Sequence, residues 1–89
     1  FSNNGQQCLA GSRILLQRSI ADRFIERFVE RARAIRVGPP ADPATEIGPL
    51  AFASHFERVM AYVEVARADG AALLTGGRRP EGLAKGYYM

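Results

Sequence analysis

RILLQRSIADRFIERFVERARAIRVG, residues 13–38, changes its apolar period part-way along. Arg13 to Gln17, RILLQ, is a short apolar block ahead of polar residues, and it predicts a buried strand over about 13–17. From Ser19 the spacing lengthens. Ile20, Phe24, Phe28, Ala32 and Ile35 recur at helical intervals, with Ile25 and Val29 widening the stripe, so a helix is predicted over about 19–36. Ser19 offers a hydroxyl to the free N–H groups of the first turn, and Asp22 stands three residues on as a variant of the capping box. Gly38-Pro39-Pro40 brings the helix to an end.

Working outward, residues 37–50 (VGPPADPATEIGPL) are rich in proline and predict an ordered loop, because proline continues neither a helix nor a central strand. A second amphipathic helix is predicted over about 53–69. Ser54 and Glu57 form a possible capping box, Phe56, Val59, Met60, Val63 and Ala66 the buried face, and Gly70 the stop. Ala71 to Thr75 predicts a second strand, Gly76-Gly77 a turn, and Tyr87 to Met89 the start of a third strand. Strand, helix, loop, helix, strand is the order of an α/β domain with parallel pairing. At 89 residues, one domain is the most the chain can hold.

Composition removes several classes of function. A hydrophobic content of 47% with 24% charged residues is that of a folded chain, not a disordered one. The net charge is +3, but Arg18, Arg23, Arg27, Arg31, Arg33 and Arg36 are interleaved with Asp22, Glu26 and Glu30. That is a solvated helix face, without the basic run and interleaved aromatics of a nucleic-acid surface. A single cysteine cannot form an internal disulfide, which fits a reducing, cytoplasmic setting. No apolar run is long enough to span a bilayer. The chain opens on Phe1 and closes on Tyr87-Tyr88-Met89, and it reads as a fragment whose apolar faces need partners.

Cys8 carries the chemistry. Its neighbours Gly5, Gln6, Gln7, Ala10, Gly11 and Ser12 are small or polar, and glycines let backbone N–H groups come close to a ligand. A helix N-terminus at this point would favour the thiolate, and the Cys8 N–H could help hold an oxyanion. The only histidine, His55, is remote in sequence, so no local base stands beside the thiol. One cysteine and one histidine cannot close a zinc site, and no metal is expected. Taken alone, a cysteine is more often a small buried core residue than a nucleophile, and Cys8 would then sit, with Asn4-Gly5 as a hairpin turn, in an α/β binding or structural module.

The pattern Phe1-x-Asn3-x-Gly5-Gln6-x-Cys8-x-Ala10-x-x-Arg13 resembles the cysteine active-site signature of the aldehyde dehydrogenase superfamily. The resemblance continues through Gly38-x-Pro40-x-Asp42, Thr45-Glu46-x-Gly48-Pro49, the helix through Phe56, and Gly76-Gly77. It implies a partial catalytic domain over residues 1–89, with the cofactor-binding and oligomerisation regions elsewhere and no activity from this segment alone. Cys8 would be the nucleophile. An asparagine and a glutamate outside the segment would serve as oxyanion donor and general base, and Asn3, Gly5 and Gln6 would shape the cysteine loop. NAD, or NADP, would take the hydride. His55 and Arg58 fall where family members contact the nicotinamide ribose, often through Gln and Lys. The implied partner is a small-molecule aldehyde, within a homo-oligomeric parent enzyme (dimer or tetramer). Within the superfamily, RARAIRVGPPADPATEIGPL and the following His55, Arg58, Val59, Tyr62, Val63 and Glu64 resemble the 5-carboxymethyl-2-hydroxymuconate semialdehyde dehydrogenases of aromatic catabolism. Gln6-Gln7 depart from that group, which has an acidic and a basic residue there. A dehydrogenase for another semialdehyde or an amino aldehyde is the alternative, and a non-catalytic interaction module the alternative of a different class.

Overall fold

Two helices and the loop between them organise the chain, which a computed structural model describes over residues 1–89. Helix α1 spans Arg18–Ala34 and helix α2 spans Ala53–Ala68. Both lie where the apolar spacing predicts them. Their ends differ from the prediction for definable reasons. Gln17 and Phe52, in extended conformation, are the N-caps, and no side chain caps either helix; Ser19 and Ser54 lie inside the first turns. Helix α1 stops before Gly38 because Ile35 turns extended, at φ −68° and ψ 127°. That turn frees Arg36 and Val37 to pair with the far end of the loop.

The loop then folds back on itself. Val37 and Ile47 form an isolated parallel bridge, and the Gly38 N–H donates to the Ile47 carbonyl at 3.0 Å. The Glu46 carboxylate accepts the Arg36 N–H at 2.9 Å, so the loop is ordered, as its prolines predict. Asp42 closes the tip, its Oδ1 accepting the Ala44 N–H at 2.8 Å. Helix α2 ends as Gly70 predicts. Gly70 takes φ +83°, its N–H reaches the Arg67 carbonyl, and the Ala71 N–H reaches the Ala66 carbonyl. This paired closure satisfies carbonyls that the helix end leaves free.

The strands predicted at 13–17, 71–75 and 87–89 do not form. A strand exists only as half of a ladder. No backbone hydrogen bond joins 13–17 to another segment, and Leu15 is 96% exposed. Tyr87 makes a single backbone contact, accepting the Leu50 N–H at 2.9 Å. The α/β reading therefore keeps its two helices and one parallel contact, without strands.

The core is correspondingly small. Leu50, at 4% exposed, and Tyr88, at 7%, are its only buried side chains. Phe56 packs beside Tyr87, with Arg79 over the Phe56 ring at 4.7 Å. On α2, Phe56, Val59, Met60 and Val63 are half-buried, while Ala66 is exposed. Ile20, Phe24, Ile25 and Phe28 on α1 remain 37–43% exposed. The radius of gyration, 14.2 Å, exceeds the roughly 12 Å expected of a compact chain of this length.

Candidate active site

The cysteine loop owes its shape to three consecutive left-handed residues. Asn3, Asn4 and Gly5 have φ of 49°, 55° and 71°. Glycine takes that conformation freely, and asparagine tolerates it better than most residues. The resulting reversal turns the Asn4 carboxamide toward the loop ahead of α2. Its Nδ2 donates to the Gly48 and Pro49 carbonyls, both at 3.0 Å. Gln6 adds a third tie, its Oε1 accepting the Ala51 N–H at 3.2 Å. Asn3 and Gln6 also exchange side-chain to backbone contacts at 3.4 Å.

Beyond Gln6 the chain enters a turn over Gln7–Ala10, closed by the Ala10 N–H on the Gln7 carbonyl at 3.0 Å. Cys8 occupies the first central position of this turn and is exposed. The reading of Cys8 as a buried core residue is therefore wrong for this structure. A helix start at Cys8 is absent too, because the two α-helices begin at Arg18 and Ala53. The Cys8 N–H has no backbone acceptor within the chain, so it is available to a ligand.

His55 and Arg58 lie three residues apart in the first turns of α2, and so on neighbouring positions of one side. His55 is half-buried against Phe52, with ring centroids 5.9 Å apart, and Arg58 is exposed. Arg58 takes no part in the two ion pairs, Arg36–Glu46 and Arg67–Glu64. Cys8 and His55 share no hydrogen bond, so no cysteine–histidine pair forms. The two regions are linked through backbone instead. The residues two and four before Cys8 hold the residues four to seven before His55. No cluster of three His, Cys, Asp or Glu side chains is present.

A cavity of about 1060 Å³ lies elsewhere, between α1 and residues 72–81. Phe28, Ala32, Ile35, Leu50 and Leu74 line it, and Cys8, His55 and Arg58 do not. It is continuous with the thin core and its lining is mainly apolar, so it reads as unfilled packing space beside the site. Asn4 is the residue that sequence reasoning passed over. The Asn-Gly pair did signal a turn. Nothing local revealed that the carboxamide would reach 44 residues along the chain.

Residues 1–89 match the model of the aldehyde dehydrogenase family from end to end. The chain belongs to this family. Among relatives, it is 46% identical over 89 residues to an aldehyde dehydrogenase of Deinococcus radiodurans, covering 98% of this chain and 17% of that protein. Among solved structures it resembles HpcC from Thermus thermophilus, at 48% identity and a TM-score of 0.93, over 97% of this chain and 18% of that one. It also resembles a double mutant of betaine aldehyde dehydrogenase from Staphylococcus aureus, solved with NAD+ and a BME-modified cysteine. That match has 43% identity and a TM-score of 0.84, over 86% of this chain and 16% of that one. The chain thus spans about a sixth of the length of these family members. No helix is long and apolar enough to cross a membrane.

Proposed function

We propose that residues 1–89 form part of the catalytic domain of an NAD(P)-dependent aldehyde dehydrogenase in which Cys8 is the nucleophile. One observation carries this reading: in a chain of this family, the only thiol stands exposed at the tip of a turn, on a loop tied to the segment that leads into α2. The thiolate adds to the aldehyde carbon, forming a C–S bond while the carbonyl π pair moves to oxygen. The Cys8 N–H, free of internal backbone acceptors, can stabilise that oxyanion. Bound NAD(P) supplies the acceptor for the hydride that leaves the same carbon. Water then cleaves the thioester, releasing the carboxylic acid and restoring the thiol.

Arg58 and His55 suit the dinucleotide's ribose. Arg58 keeps its guanidinium donors free, and His55 holds an imidazole at the start of the same helix. For the substrate, the likeness over residues 31–64 supports 5-carboxymethyl-2-hydroxymuconate semialdehyde. A second reading, an amino aldehyde, is favoured by the 43% identity to the Staphylococcus aureus betaine aldehyde dehydrogenase. Comparing kcat/KM for the two substrates in the full-length enzyme separates them. The mechanism itself is tested by Cys8→Ala in that enzyme. Aldehyde oxidation is expected to fall by at least about a thousand-fold while NAD binding persists. Retained turnover would remove Cys8 from the mechanism.

A further inference from the structure

We infer that Asn4 is a positioning residue: its carboxamide seats the Cys8 turn on the carbonyls of Gly48 and Pro49 and so keeps the thiol in register with helix α2. The inference rests on the reading of Cys8 as nucleophile. The signature pattern leaves this position open, so the role is a property of this chain's own residue. Three observations converge on it. Both Asn4 contacts are 3.0 Å and come from one nitrogen, matching the two N–H bonds of a carboxamide to two successive carbonyls. The orientation of the group is dictated, since the reverse placement would set Oδ1 against two carbonyl oxygens. Its Oδ1 is buried without a partner, so the group has given up solvent for this seat.

The seat itself is firm. It adjoins Leu50, the most buried side chain, whose N–H is fixed by the Tyr87 carbonyl at 2.9 Å. One residue further, the Ala51 N–H donates to the Gln6 Oε1. Asn4 and Gln6 thus hold the turn from its N-terminal side at two points, while residues 11–16 beyond Cys8 make no backbone hydrogen bonds. Freed at Asn4, the turn keeps an exposed, chemically competent thiol but loses its fixed relation to the helix bearing His55 and Arg58.

The test uses the full-length enzyme. Asn4→Gly keeps the left-handed backbone accessible while removing the donor; Asn4→Asp keeps the shape and sets an oxygen against the two carbonyls. For both, kcat should fall about ten- to a hundred-fold, as expected for a misaligned nucleophile. The NAD dissociation constant and the rate of Cys8 alkylation by iodoacetamide should stay within about threefold of wild type, since neither depends on that alignment. A kcat within about twofold of wild type in the Gly variant overturns the inference. So does a parallel loss of turnover, alkylation and NAD binding, or failure of both variants to fold, because each makes Asn4 a residue of the fold alone. If the wild-type enzyme shows no NAD(P)-linked aldehyde oxidation, or Cys8→Ala retains it, the functional reading fails first, whatever the Asn4 variants do.

Discussion

Leu50 and Leu15 carry the same side chain and meet opposite fates: one is 4% exposed, the other 96%. Leu50 lies in the stretch that the chain returns to repeatedly. Asn4 holds its two preceding carbonyls, Gln6 the N–H after it, and Tyr87 its own N–H. Leu15 lies in a stretch that no other segment pairs with. The difference teaches that burial belongs to the neighbours. Local pattern shows which residues seek an apolar contact, and only a second segment supplies one.

The sharpest way to break this comparison is to truncate the buried member. Leu50→Ala should destabilise by about 2–5 kcal/mol, read as a lower urea midpoint, because it leaves a void at the only core. A shift under about 0.5 kcal/mol would show that the junction is not what holds the fold. The exposed member should respond to context instead. Leu15→Gln in the 89-residue chain should leave stability within about 0.5 kcal/mol of wild type, as for any exposed site. In the full-length enzyme the same change should cost about 1–3 kcal/mol if other segments cover it. Equal effects in both settings would mean that Leu15 has no partner anywhere. The smallest effect belongs to a contact outside both regions. Glu64→Ala removes the exposed ion pair with Arg67, 2.7 Å long, and should cost no more than about 0.5 kcal/mol. A larger loss would give α2 a dependence on surface charge that its half-buried face does not suggest.

The helices were legible in the sequence because their information is local. The spacing of Ile20, Phe24 and Phe28, and of Phe56, Val59 and Val63, defines a period within a few turns, and α1 and α2 follow it. The Gly70 closure was legible for the same reason. The strands were not, since a strand needs a partner and the apolar run 13–17 carries no information about whether one is at hand. The helix caps failed on a finer scale: Ser19 and Ser54 have the right chemistry two residues too far along, and extended Gln17 and Phe52 take the cap positions. At the site, Cys8 stood out by its small and polar neighbours and by resemblance. The seat of Asn4 did not, because it joins residues 44 and 45 apart and no short motif records such a distance.

The contact between Leu50 and Tyr87 has a consequence in the order of synthesis. The residues that begin this segment leave the ribosome first, yet their seat is steadied by residues that leave it last. Until Tyr87 emerges, Leu50 lacks its backbone acceptor, and the closure of that long loop must wait. The stretch that Asn4 and Gln6 hold therefore gains its last backbone tie only when the end of this segment has been made.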